Sequence, residues 1–284
     1  AQNNGKDHTD SLTFFKRNNK FLMKHKTERY FFTALLWLIL SGCSTQPDNE
    51  WFDLFNGEDL SNWRVKFTGQ PLGVNYRDTF LVEDNLLTVS YDNWDEFNGE
   101  FGHLFYDEVF SHYLLRIEYR FVGDQVFNGP NWAFRNNGIM LHSQDPETMT
   151  LNQEFPVSIE SQLLGGNGTD DRTTLNVCTP GTNMVMNGEL ITRHCSNSSS
   201  ETFHGDRWVT VELEVRGSKS LIHRVNGESV FELQEIQLDE SDPDAQALIK
   251  NGSSLPLSEG YLAIQAESHP TQFRKIQIKL LDEP

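Results

Sequence analysis

The sequence predicts an all-β fold, an antiparallel β-sandwich, from three observations. Beyond residue 50, apolar and polar residues alternate over short runs separated by clusters of Gly, Asn, Asp and Pro, the pattern of strands buried on one face. No segment after Cys43 sustains the 3.6-residue period of an amphipathic helix. Asn226-Gly227 lies between two alternating runs, and the type I′ turn of a hairpin needs positive φ at both central positions. The strands expected are 79–83, 86–91, 112–122, 138–142, 156–163, 208–216, 221–225, 229–233, 260–267 and 272–281. A single helical turn is expected around residues 245–250, after an acidic, Pro-containing run at 239–244.

Composition narrows the class. Of 284 residues, 37% are hydrophobic and 12% aromatic, which supplies the apolar surface that a disordered chain lacks. The 23 Lys and Arg stand against 41 Asp and Glu, for a net charge of −18. Phosphate backbones and anionic headgroups are held by basic residues, so neither nucleic acid nor a lipid surface is an expected partner of the domain itself.

The first 42 residues have a different character. Met23 opens a basic stretch with Lys24, Lys26 and Arg29, and an apolar run of 11 residues from 30 to 40 follows. That run is too short for a hydrocarbon core, which takes about 20 helical residues. With the ending Leu40-Ser41-Gly42-Cys43, it has the parts of a secretory signal and resembles a bacterial lipobox, which implies lipidation of Cys43. The expected organisation is an upstream extension at 1–22, a lipoprotein signal peptide at 23–42, a polar tether at 43–50 and one sandwich domain at 51–284. From Cys43 onward, 16 basic residues face 38 acidic ones, a net charge of −22. The expected location is the cell envelope, in the periplasm or at the outer membrane, held to the bilayer through the lipid alone. Cys178 and Cys195 remain, and in an oxidising compartment they are expected to pair rather than persist as free thiols.

Strand parity sorts the side chains, because successive residues point to opposite faces. In 112–122, Tyr113, Leu115, Ile117, Tyr119 and Phe121 share one face, with Arg116, Glu118 and Arg120 on the other. In 156–163, Val157, Ile159, Ser161 and Leu163 face the core, leaving Ser158, Glu160 and Gln162 outward. In 260–267, Leu262, Ile264 and Ala266 are core, so Tyr261, Ala263, Gln265 and Glu267 face outward. Two strands thus carry a Gln beside a carboxylate on a non-core face. A curved sheet lays such faces into a groove, and the Gly-rich loop at 165–171 follows the strand of Glu160.

The motifs of common hydrolases are absent. There is no Gly-x-Ser-x-Gly elbow, no phosphate-cradling Gly-x-x-x-x-Gly-Lys and no His-Glu-x-x-His. Glu160 is followed by Ser161-Gln162-Leu163-Leu164, so the Glu-x-Asp-x-x-Glu of laminarinase-like jelly rolls is also missing. Phe52-Asp53-Leu54-Phe55-Asn56-Gly57-Glu58-Asp59-Leu60-Ser61-Asn62-Trp63, however, resembles the opening of the 3-keto-disaccharide hydrolase domain (DUF1080) proteins. Further matches are Asn137-Gly138-Ile139-Met140-Leu141-His142, Ile159-Glu160-Ser161-Gln162, the stretch from Gly260 to His269, and Phe273-Arg274-Lys275-Ile276. They fall in the expected order over residues 51–281. The resemblance implies a concanavalin-like jelly roll and cleavage of 3-oxo-glycosides. Asn137 stands where the family more often has Ser, and is expected to touch substrate.

A ketone at C3 acidifies the C2–H bond, so a base can remove that proton and the C1 oxygen can then leave by elimination. This chemistry needs a base, a donor or metal at the ketone oxygen, and an acid for the leaving group. Glu160 is the expected base. His142 and His269 are the expected acids, since imidazole exchanges protons near neutral pH. Gln162, Gln265, Glu267 and Arg274 are expected to bind substrate, and a divalent metal held by His142 and Glu160 is a further expectation. Each has a plain structural counterpart: a capping His142, a turn-forming His269 before Pro270, and an Arg274 that shares parity with Ile276 and Ile278. Trp94, Trp132 and Phe134 lie in Gly- and Asn-rich loops and are candidates for stacking on sugar rings. The alternative functions are a non-catalytic carbohydrate-binding envelope lipoprotein on the same sandwich, or a purely structural one. The anchor is testable by itself: Cys43→Ala should move the protein from the membrane to the soluble fraction, and retained membrane association would refute lipidation.

Overall fold

The computed structural model describes residues 50–283. The strands in chain order begin with β1 (Phe52–Asp53), β2 (Trp63–Phe67), β3 (Phe80–Glu83), β4 (Leu86–Val89), β5 (Gly102–Phe110) and β6 (His112–Phe121). Next come β7 (Asn136–Ser143), β8 (Ile159–Leu164), β9 (Asn176–Cys178), β10 (Thr182–Met186), β11 (Glu189–Ile191) and β12 (Cys195–Ser196). The last are β13 (Val209–Arg216), β14 (Ser220–Val225), β15 (Glu228–Leu238), β16 (Gly260–Ala266) and β17 (Thr271–Leu280), with helix α1 (Pro243–Lys250) between β15 and β16. They form a ten-stranded sheet, β11-β10-β15-β14-β13-β6-β17-β4-β3 with β1 beside β17, and a seven-stranded sheet, β12-β9-β8-β7-β16-β5-β2. The pairs within them are antiparallel. This is the expected sandwich.

One apolar cluster joins the sheets. It takes Leu115, Ile117 and Leu213 from the larger sheet and Ile139, Ile159, Leu163 and Ile264 from the smaller. The alternation of β6 holds along its length, with Tyr113, Leu115, Ile117, Tyr119 and Phe121 buried and the residues between them half-buried. Within the core, Ser161 donates to His223 Nε2 (2.8 Å), and His223 Nδ1 donates to the Leu175 carbonyl (2.9 Å). Burial pushes the His223 imidazole down to about 4, so it stays neutral and links the sheets. Ser161 and His223 are both fully enclosed, so this pair is a structural tie and not a nucleophile with its base.

Turns and caps follow local chemistry. Asn226 and Gly227 adopt φ of 49° and 87° between β14 and β15, the hairpin turn expected of that dipeptide. The helix is two turns rather than one. It starts at Pro243, and Asp242 caps it by accepting from the amides of Asp244 and Ala245.

Two departures from the expected pattern have physical causes. β5 carries no clean alternation because Gly102–Tyr106 is buried on both faces. Its outer side lies under Met149 and Phe155, which pack on Phe105, Met140 and Ala263. In β17 the register against β6 shifts between Phe273 and Lys275, a bulge that breaks strand parity. Arg274 therefore faces solvent on the larger sheet, bonded to Glu118 and 4.6 Å from the Trp208 ring centroid. The expectation that it lines the substrate site is corrected. Removing its exposed ion pair by Arg274→Ala should change unfolding free energy by less than about 1 kcal/mol. Ser161→Ala, which strands a buried imidazole nitrogen, should cost about 1–3 kcal/mol in the same denaturant titration.

Candidate functional site

The site is on the outer face of the seven-stranded sheet, where adjacent strands set side chains in rows. One row runs from His103 on β5 to its register partner Gln265 on β16. It continues past Gly138, which follows in register from the Ile139–Ile264 pair, to Gln162 on β8 and Asn176 on β9. The next row runs Phe105, Ala263, Met140, Glu160 and Cys178. Gly138 is the low point between them. A Cβ there would stand 2.5 Å from Glu160 Oε1 and 2.8 Å from Gln265 Oε1. The missing side chain lets the carboxylate of one strand and the carboxamide of another lean over the same spot.

Two carboxylates meet here. Glu160 and Glu267 are both buried, and Glu160 Oε1 and Glu267 Oε2 have no hydrogen-bond partner. Burial raises the proton affinity of Glu160, and burial together with the Glu160 charge raises that of Glu267. The two titrate as a pair that retains a proton above the ordinary carboxylate range. Arg172 works in the opposite sense on Glu267. Its guanidinium donates to the backbone carbonyls of Trp132 (2.9 Å), Gly165 (3.0 Å) and Phe134. It thereby fastens the segment leading into β7, a task that a planar fork of donors suits. Just beyond Glu267, Ser268 holds a φ of 96°, with its amide donating to Tyr91 Oη (2.6 Å) and its Oγ accepting from Gln125 (2.8 Å). Such strained backbone persists only where neighbours over-determine it.

The pair opens into a cavity of about 360 Å³. Asn136, Gln162, Phe155 and Trp132 also line it, and the Cys178–Cys195 disulfide between β9 and β12 forms one wall. Trp132 is half exposed and lies nearly parallel to Phe101, with ring centroids 5.9 Å apart. It offers a flat apolar platform at the mouth. Asn176 donates to Gln162 Oε1 (3.1 Å), leaving the Gln162 NH₂ as the free end of that amide. The Gly-rich loop at 165–171 is pinned: Gly168 N donates to His204 Nδ1, and Asn167 Oδ1 accepts from the amides of Thr169 and Asp170.

Glu160, Gln162, Gln265 and Glu267 stand together, as parity predicts. Besides Arg274, three other expected residues do not join them. His142 sits in a bulge of β7, with φ of 48° where the register against β16 shifts. The bulge turns its ring inward, where Nε2 donates to the Gly217 carbonyl (3.1 Å) and the ring lies edge-on to Tyr113. Burial pushes it down to about 4. Since His142 points between the sheets and Glu160 points away from them, they cannot share a metal ion. His269 is enclosed edge-on by Phe121 and Phe134, without a partner on either nitrogen. Burial and the nearby Arg135 and Arg172 charges hold it down at about 3. Asn137 has core parity and donates to the Gln265 carbonyl (2.6 Å). Its neighbour Asn136 is the residue that lines the cavity. Among the described residues, only Cys178, His194 and Cys195 bring three potential metal-ligand atoms within 4.8 Å of one another, and the two sulfurs are already joined. Trp94 and Phe134 do not line the cavity; Trp94 is buried, with its indole NH on Thr79 (2.9 Å).

Several residues of this face carry weak sequence signals. His103 lies in the strand whose alternation is masked by burial on both sides. It is neutral, pushed down to about 3 by burial and by the Lys66 charge beside it. Lys66 is itself buried and donates to the carbonyls of Phe67 (2.6 Å) and Leu151 (3.0 Å), tying the covering segment to the sheet. Arg172 sits in an acidic loop with no periodicity to single it out.

Comparison with solved structures finds similar chains at low identity. A candidate glycosyl hydrolase from Parabacteroides distasonis ATCC 8503 is 17% identical with a TM-score of 0.48, over 82% of this chain and 94% of that one. A second from the same organism is also 17% identical, with a TM-score of 0.46 over 82% and 100%. The β-glucanase of Bacillus licheniformis is 10% identical with a TM-score of 0.44, over 82% and 99%. No curated protein matches the chain. The family model described as the 3-keto-alpha-glucoside-1,2-lyase-like domain matches residues 50–279, nearly all of the described sandwich, and the chain belongs to that family.

Proposed function

We propose that the protein is a carbohydrate-active enzyme that cleaves 3-keto-glycosides by removing the C2 proton and expelling the C1 oxygen. The observation that carries this is the buried, unpartnered Glu160–Glu267 pair opening into a cavity beside an exposed Trp, in a chain of this family. Elimination next to a ketone asks for a base and no nucleophile. A carboxylate whose proton affinity is raised by burial is a stronger base than one in water. Glu160 takes the proton and Glu267 shares the charge of the site. The Gln265 carboxamide stands beside Glu160 with both of its ends unpartnered, and the free Gln162 NH₂ is the donor available to the ketone oxygen. The sugar ring lies against Trp132 and Phe155, as apolar sugar faces do on aromatic rings. The C1–O bond breaks as the C1–C2 double bond forms, and addition of water to that double bond makes the net result a hydrolysis. On the lipobox reading, the enzyme works in the cell envelope from a lipid anchor at Cys43.

The first test is to incubate the protein with a chromogenic 3-keto-α-glucoside and with its unoxidised parent. Turnover of the keto form alone is expected; binding of either without turnover would indicate a binding module instead. Glu160→Gln should lower the rate by about 10²–10⁴-fold while substrate binding survives. Near-normal turnover would hand the base role to Glu267. Gly138→Ala should displace the carboxylate and cost about a hundredfold in rate, with the circular dichroism spectrum unchanged.

Stability should depend on pH in a set direction. Both carboxyls hold protons more tightly folded than unfolded, so the folded state binds the excess. Stability is then fully present below the ordinary carboxyl value and declines as pH rises through the raised folded values. Denaturant midpoints should fall between about pH 5 and about pH 9. In Glu160→Gln or Glu267→Gln that fall should be shallower.

A further inference from the structure

A second and larger cavity adjoins the first. It has a volume of about 610 Å³ and is walled largely by polar residues such as Thr150, Gln153, Thr182 and Asp239. The two cavities have three wall residues in common: Phe155, Pro180 and His194. A substrate with two parts placed across them has its connecting bond at those three residues, and only His194 among them can donate a proton.

His194 is also held in place. Its carbonyl accepts from the amide of Thr179 (2.9 Å) and from Thr179 Oγ1 (3.2 Å). The next residue, Cys195, is bonded to Cys178, and the ligand atoms of all three lie within 4.8 Å of one another. Cys178 is the register partner of Glu160. The disulfide therefore fixes the backbone that carries an exposed imidazole at the wall of the chamber that holds the base. The two histidines expected to serve as acid, His142 and His269, lie outside that wall.

We infer that His194 is the general acid of the reaction, that the inner cavity takes the oxidised sugar ring, and that the outer cavity takes the leaving group. This assignment rests on the elimination proposed above. When Glu160 takes the C2 proton, the C–H electrons pass onto the ketone oxygen as an enolate; as the ketone re-forms, the C1–C2 double bond forms and the C1–O electrons pass to the leaving oxygen. That oxygen receives a proton from the His194 imidazolium and departs as an alcohol. Imidazole and protonated Glu160 then return to their starting states by exchange with water, and no oxidant or reductant is needed.

An acid matters in proportion to how poorly the group leaves. Two substrates separate the roles: methyl 3-keto-α-glucoside, whose alkoxide must be protonated, and the 4-nitrophenyl analogue, whose phenolate leaves unaided. His194→Gln should lose about a hundredfold or more on the methyl substrate and less than about threefold on the nitrophenyl one. Exchange of the C2 proton in D₂O, which reports Glu160 alone, should match wild type. His194→Ala should show the same selective loss, with added imidazole restoring the methyl reaction. Equal losses on both substrates, or none on the methyl substrate, would overturn the assignment while leaving the elimination intact. A wild-type protein that neither cleaves nor exchanges either compound would remove the elimination, and the role of His194 with it.

Discussion

A strand has two faces, and packing the seven-stranded sheet against its partner commits one face of every strand to the core. Everything the site displays depends on that commitment. Once Ile139, Ile159, Leu163 and Ile264 are buried between the sheets, Glu160, Gln162, Gln265 and Glu267 have no choice but the opposite side. Antiparallel register then places residues from separate strands in rows, so that Glu160, Gln162 and Gln265 meet without any loop having to bring them together, and Glu267 follows one residue beyond the end of β16. The precision of the site is the precision of a sheet, which holds groups more firmly than loops do.

The electrostatics of that face follow from how it is covered. The segment at 144–157 seals the part over β5 and β16, where Met149 and Phe155 pack on Phe105, Met140 and Ala263, and Lys66 reaches up to hold it through the Leu151 carbonyl. What stays open is the end over β7, β8 and β9. Two carboxylates at the edge of an apolar cover are desolvated and repel each other. Arg172 offsets part of that repulsion while holding the backbone that carries Trp132. Gly138 lies under the pair because any side chain there would take the place of the carboxylate. A site that concentrates unpartnered carboxylates lowers stability, and the inter-sheet core and the cross-strand disulfide offset that cost.

Bulges decide what alternation cannot. In β7 the extra residue at His142 turns that ring inward to the Gly217 carbonyl. In β17 the shift after Phe273 turns Arg274 outward to Glu118. Each is a single-residue event, yet a shift of one residue moves a side chain to the other face. The imidazole that does reach the cavity, on His194, comes instead from an edge segment next to a two-residue strand. The disulfide from the next residue, Cys195, to Cys178 holds that segment there.

Much of this was legible in the amino-acid order alone. Period-2 alternation in 112–122, 156–163 and 260–267, together with Asn226-Gly227, determined the class of fold. It also determined the outward parity of Glu160, Gln162, Gln265 and Glu267, because both depend only on the face a strand buries. The family was legible too, through motifs kept in order along the chain. Tertiary structure alone decided the rest. Which outer residues are dry depends on a distant segment folding over the sheet. Whether His142 points in or out depends on its partner strand's register. That Asn136 rather than Asn137 reaches the cavity follows from which face of β7 meets the other sheet. The meeting of His194 with the Glu160 cavity depends on strand pairings between residues far apart in sequence, and no local pattern encodes those.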